Sequence, residues 1–182
     1  MIKFVTTNDG KYREVASLFH AHGIEVGREN LPVPEVQADE LEEVVRYSLD
    51  VLAGLTASDV LVDDSGFFVD ALNGFPGVFS AYTFRAIGVR GILRLMERQE
   101  NREARFATVM GVRMKGEVHL FRGECRGTVA GEPGGKEGFG FDPIFIPDGR
   151  EATFAEMSMD EKNAISHRGS AAKKVAEYLK GR

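Results

Sequence analysis

Between Gly138 and Gly169 the chain reads GFGFDPIFIPDG and then TFAEMSMDEKNAISHRG, dense in glycine, aromatic rings and charge. Little of it follows a helical or strand period, and an irregular polar stretch of this length is expected to be a surface that holds a ligand. Phe139 can stack on a flat base, Asp142 offers a carboxylate, and Lys162, His167 and Arg168 can each meet a phosphate oxygen. Phe139 and Phe141 flank Gly140, where a backbone can come close to a ligand, although core packing would explain one of the two rings equally well. A lone Lys or Arg would be an ordinary solvated residue. The run Asn163-Ala-Ile-Ser-His-Arg-Gly is a denser donor array than that.

A second group opens the chain. Thr6, Thr7, Asn8, Asp9, Gly10 and Lys11 put short hydroxyl and amide groups, a glycine and a lysine where an apolar strand gives way to a helix. Unpaired N–H groups at a helix start favour anions, so the turn suits a phosphate tail. It is not a Walker loop, and the same residues also serve an ordinary N-cap. Asp63-Asp64-Ser65-Gly66 follows the apolar Val60–Val62, and alternation along an extended chain lets only one of the aspartates face a given site. A strand-end turn with solvated carboxylates is the plainer reading. The apolar Phe67-Phe68-Val69 that follows weakens it. Glu35 is held between Pro34 and Val36 on a stiff segment and gains meaning if it shares a cation with Asp64. Magnesium, a hard ion held by one or two carboxylates together with substrate phosphates, fits that pair; nothing here suits zinc.

The elements that must position these residues alternate. Ile2–Thr6 reads as a buried strand, and Tyr12, Val15, Leu18, Phe19 and His22 have helical spacing up to Gly23. Ile24–Val26 reads as a second strand, and Asp39 with Glu42 as a capping box opening a helix that ends at Gly54. A helix is expected over Arg85–Glu97, β structure from Phe106 to Val129 with Lys115-Gly116 at a hairpin tip, a strand at Ile144–Ile146, and a last helix over Ala171–Lys180. The class is mixed α/β with an antiparallel portion.

Composition narrows the function. A chain of 182 residues fits one domain spanning 1–182, and a net charge of −5 gives no global basic field for a nucleic-acid backbone. Cys125 is the only cysteine, which excludes an internal disulfide. His20, His22 and His119 have no partner at ligand spacing. With neither a bilayer-spanning run nor a signal-peptide pattern, a cytoplasmic protein with no membrane partner is expected.

Taken in order, Thr-x-Asn-x-x-Lys, Pro-Glu-Val-Gln, Asp-Asp-Ser-Gly, Phe-Pro-Gly-Val-Phe-Ser-Ala, Gly-Phe-Gly-Phe-Asp-Pro-Ile-Phe and Ser-His-Arg-Gly resemble the inosine/xanthosine triphosphate pyrophosphatase family. The resemblance runs from Thr6 to Arg168 and implies Mg2+-dependent hydrolysis of ITP, dITP and XTP to the monophosphate and pyrophosphate. It also implies an ITPase-like α/β fold, an elongated two-lobed mixed sheet with flanking helices, with the active site in the cleft between lobes, and usually a homodimer. By resemblance, Thr6 to Lys11 match the phosphate loop, Glu35 and Asp64 the metal-associated acids, Asp64 also the proton acceptor, and Ser65 a substrate contact. Phe139, Gly140, Phe141, Asp142, Lys162, His167 and Arg168 match the nucleobase and substrate pocket, and Phe75–Tyr82 a segment near the dimer contact.

Many bacterial-type members carry Asn-Ala and a lysine in the helix after the Pro-Glu motif. Here Val44–Ala53 has no lysine, so Arg46 or another base must take that contact, or it is dispensable. The Ser-x-Ser-Pro-Arg-Arg opening of septum-formation-type pyrophosphatases is absent, Lys11-Tyr-Arg standing in its place. Paired candidate metal acids and an acidic charge argue against a non-catalytic RNA-binding module.

Overall fold

Ile2, Phe4 and Val5 are buried and make β1 (Ile2–Val5); the polar run after them ends the strand and starts α1 (Asp9–Ala21). The computed structural model describes residues 1–34 and 36–181. It continues with β2 (Val26–Glu29), α2 (Leu41–Leu55), β3 (Val60–Val69), β4 (Pro76–Gly77), α3 (Ser80–Leu95), β5 (Glu103–Met114), β6 (Glu117–Val129), β7 (Phe145–Pro147), α4 (Met159–Ile165) and α5 (His167–Lys180). The strands form a seven-stranded sheet in the order β2-β1-β3-β5-β6-β7, with β4 paired to β3 off that path. β1 pairs in parallel with β2 and β3, whereas β3–β4 and β6–β7 are antiparallel. The expected mixed α/β class is therefore the observed one.

The chain groups into two compact units. Met1–Asp64, Thr108–Gly123 and Arg168–Arg182 form the first; Ser65–Ala107 and Glu124–His167 form the second. In the first, Val15, Leu18 and Phe19 of α1 and Ala171, Ala172 and Val175 of α5 pack with Phe4, Leu61, Met110 and Val112. In the second, Phe67, Phe106, Phe141, Phe145 and Phe154 form an aromatic core with Ile92 of α3 and Met96, which caps its C-terminus. Burial of such side chains, about 1.5–3 kcal/mol each, is the main force holding each unit.

Several boundaries differ from those the pattern implies. β2 starts at Val26, not Ile24, because Gly23, in the left-handed region at φ 72°, is still turning the chain. Asp39 does not cap α2: the N-cap is Glu40, with no side-chain hydrogen bond. α3 begins earlier than Arg85 and is broken at Gly88, whose φ of 61° and ψ of −169° are not helical. Lys115 and Gly116 are the hairpin tip, both at positive φ (49° and 83°), as a two-residue turn between β5 and β6 requires.

The largest difference concerns the stretch expected to be an irregular surface. It contains α4 and the start of α5, and two capping boxes, Thr153 with Glu156 and Ser158 with Glu161, organise it. Its polar residues Asp142, Lys162, Asn163, Ser166, His167 and Arg168 are buried.

Candidate active site

In the first unit the site grows from unequal strand lengths. β3 lies parallel to β1 with Lys3 opposite Val60 and Phe4 opposite Leu61. β1 stops at Val5 but β3 runs on, so Asp63 and Asp64 stand level with the Thr6–Thr7 turn. They are not in a strand-end turn, as the motif suggested. They lie inside a continuous strand that continues through Ser65 and Gly66 to Val69. Gly66 is needed there because a Cβ would meet the Gly77 carbonyl oxygen at 2.6 Å, where β4 closes on β3.

At the α1 start, Asn8 accepts from the Lys11 N–H at 3.0 Å, and Thr6 Oγ1 accepts from the Asn8 N–H at 3.2 Å. The turn is thus a true N-cap, and it aims Lys11 back at β3. Lys11 Nζ lies 3.1 Å from Asp63 Oδ1 and 3.9 Å from Asp64 Oδ1. The aspartates differ as alternation requires: the Asp63 side chain is 1% exposed and that of Asp64 26%.

Asp63 is held from a second side. Arg168 Nε donates to Asp63 Oδ2 at 3.1 Å, and its Nη1 donates to Glu14 Oε2 at 2.5 Å. Arg168 is buried, and its guanidinium donates to these two protein carboxylates. A buried guanidinium requires such partners. Glu14 and Asp63 favour the charged form and raise the Arg168 pKa against burial, which would lower it.

Burial alone would push the Asp63 carboxyl up. The charges of Lys11 and Arg168 and the hydrogen bonds they donate outweigh it and hold the group below its ordinary 3.8. An acid depressed on folding contributes stability above its unfolded pKa and loses it as pH falls through the folded one. Unfolding free energy is therefore expected to be level in this component above about pH 4 and to drop below it. Urea titrations at a series of acidic pH values check this, and a flat profile below pH 3.8 would contradict it.

In the second unit Asp142 is the organising group. Its Oδ2 accepts from Lys162 Nζ at 2.6 Å and from the Phe139 N–H at 2.8 Å. Gly138 sits at φ 72°, and a Cβ there would strike that same oxygen. Lys162 Nζ stands 5.1 Å from the Phe139 ring centroid and 5.4 Å from that of Phe154. Phe139 is half-buried beside Gly140, whereas Phe141 is core, stacked on Phe67 at 5.3 Å and edge-on to Phe84 at 5.4 Å. Of the two rings, Phe139 is thus the more accessible. His167 opens α5 and stacks on Phe106 at 4.8 Å.

Glu35 lies outside the described residues. Arg46 is exposed on α2. Glu14 was missed by the sequence reading, although an acid beside Val15 and one turn from Leu18 on the apolar face of α1 signals a paired buried charge. Glu29 was missed too: its Oε2 is buried with no hydrogen-bond partner among the described residues.

Residues 2–178 match the Ham1 family. A protein of Pyrococcus horikoshii named dITP/XTP pyrophosphatase is 48% identical over 179 residues, spanning 98% of this chain and 96% of that one. One of the same name from Thermococcus kodakarensis is 49% identical over 179 residues, spanning 98% and 97%. The structure of the Staphylococcus aureus Ham1 protein matches with a TM-score of 0.84 at 27% identity, covering 99% of this chain and 98% of that one. With nearly its whole length matched in sequence and in fold, the chain belongs to the Ham1 family.

Proposed function

We propose that the protein hydrolyses the non-canonical purine nucleoside triphosphates ITP, dITP and XTP to the monophosphate and pyrophosphate, with water attacking the α-phosphorus. The relatives' names support the substrate class. The observation that carries the chemistry is Lys11, held between a sequestered Asp63 and a solvent-accessible Asp64 at the start of α1. Phosphoryl transfer depends mainly on positioning and charge neutralisation, and this group offers both.

Lys11 takes the phosphate tail, together with Thr6, Thr7 and Asn8 and the backbone of Asp9 and Gly10. Asp64 accepts the proton of the attacking water, and Ser65 orients substrate beside it. Asp63 fixes Lys11 rather than reacting, and Arg168, which braces Asp63, is a substrate contact as well. Phe139 stacks on the base, and the backbone of Gly140 and Phe141 reads its edge. Asp142 and Lys162 lock the Phe139 turn, and His167 contributes at the start of α5. A site that donates to O6 and accepts from N1–H would leave groups unpaired against ATP.

Asp64 also fits a hard divalent ion: it is a part-exposed oxygen donor, and its approach to Lys11 is looser than that of Asp63. We assign Mg2+ to Asp64 with Glu35. The ion would offset charge on the phosphate oxygens and help acidify water.

The reaction takes a free nucleotide in the cytoplasm and needs neither nucleic acid nor membrane. Among the described residues no helix is long and apolar enough to cross a bilayer. The protein works as a homodimer; Phe75, Phe79 and Tyr82 expose an aromatic surface for a second copy to cover. Hydrolysis in 18O-labelled water tests the position of attack. The label is expected in the monophosphate, and label found only in pyrophosphate would overturn it.

A further inference from the structure

Arg28 is a cation that the reaction outlined above does not use. β2 lies parallel to β1 with Phe4 opposite Arg28 and Val5 opposite Glu29. That register puts Arg28 at the carboxyl ends of both strands, where the Thr6–Asp9 turn leaves β1. The turn and the helix it starts hold the guanidinium in place. Nε donates to the Thr6 carbonyl at 3.2 Å, Nη1 donates to Asp9 Oδ1 at 2.7 Å, and Cζ lies 5.3 Å from the Tyr12 ring centroid.

The pairing is lopsided. The Arg28 side chain is 34% exposed and that of Asp9 80%. An ion pair to so exposed a carboxylate is weak and readily screened. A guanidinium is better matched to phosphate oxygens, which its planar fork meets in pairs. Among the described residues the Nη2 donors make no hydrogen bond, while Nε and the Tyr12 ring fix the plane. The orientation needed for a bidentate contact is therefore already set, over the loop that takes the phosphate tail. The acidic chain, net −5, also needs a local cation wherever it collects a polyanion.

We propose that Arg28 is a phosphate-binding residue of the nucleotide site, exchanging Asp9 for the terminal phosphates of the triphosphate. Asp9 is its counter-ion when no substrate is bound and competes with the phosphate chain. This rests on the pyrophosphatase reading and adds to it a second cation on the phosphate loop, brought by β2. The two residues then have opposite effects, which a merely structural ion pair would not give.

The test is calorimetric binding of inorganic pyrophosphate, in chelator, to the wild type, Arg28→Gln, Arg28→Lys and Asp9→Asn, with ITP kinetics alongside. Arg28→Gln is expected to weaken pyrophosphate binding about 10-fold and to raise KM for ITP similarly, with kcat within about twofold, as loss of uniform binding does. Asp9→Asn is expected to tighten pyrophosphate several-fold, and Arg28→Lys to recover only part of the loss because an ammonium has no fork. Unchanged binding in Arg28→Gln, or weakening in both Arg28→Gln and Asp9→Asn, overturns the role of Arg28 while wild-type turnover keeps the enzyme reading. A wild type that neither binds pyrophosphate nor hydrolyses ITP overturns both.

Discussion

Replacing Asp64 by asparagine is expected to lower the rate of pyrophosphate release from ITP by about 10²-fold or more, the usual scale for a positioned base, and to leave the thermal midpoint nearly unchanged. The two effects separate because of where the carboxylate sits. Its side chain is 26% exposed and stands 3.9 Å from Lys11, so folding does not depend on its charge as it does on that of Asp63. Asparagine keeps the shape but cannot take a proton from water. Asp63 cannot substitute, since its carboxylate is buried and held by Lys11 and Arg168. Steady-state rates at saturating ITP, with a melting curve on the same sample, check this. A variant with nearly wild-type kcat would remove Asp64 from the chemistry.

Asp63→Asn is expected to fail in the opposite way, by losing stability. Removing one member of a buried ion pair costs about 3–5 kcal/mol, because the partner charge is left uncompensated. Here Lys11 and Arg168 both lose a counter-charge, but Glu14 still pairs with Arg168, which places the loss in the lower part of that range. A loss of about 3 kcal/mol lowers the melting temperature by about 6–12 °C in a domain of this size. The gap between variant and wild type should narrow below pH 3.8, where the wild type surrenders the same interaction. Denaturant titrations near neutral pH read the loss directly; a change under about 1 kcal/mol, the scale of an exposed pair, would show that the network is not a buried one.

Local signals carried well in this chain. The β1–α1 turn, the Lys115-Gly116 tip and the unequal environments of Asp63 and Asp64 all follow from short-range rules, and all are found. Two features were legible and went unread. Thr153-x-x-Glu156 and Ser158-x-x-Glu161 are capping-box spacings, and together they announce order in a stretch whose hydrophobic period is too short to show it. Others have no local signature. Arg168 looks like a solvent-facing base until Glu14, 154 residues earlier, is brought against it. Asp63-Asp64-Ser65-Gly66 looks like a turn because its polar residues interrupt an apolar run. It stays in β3 because Gly66 lets Gly77 close on the strand and because Ser80 Oγ, accepting from the Phe67 N–H at 2.7 Å, ties the following residue. Long-range pairing of charges and strands decides both cases.

The most direct test of the central claim is pyrophosphate release from ITP, dITP, XTP, GTP and ATP, each with Mg2+ and with chelator. Rapid release is expected from ITP, dITP and XTP with Mg2+, and loss of that activity in chelator. Discrimination against ATP should reach as much as about 10⁴, the scale available when a polar site is left unpaired. A rate on GTP or ATP comparable to that on ITP, or no release from any of the five, would contradict it.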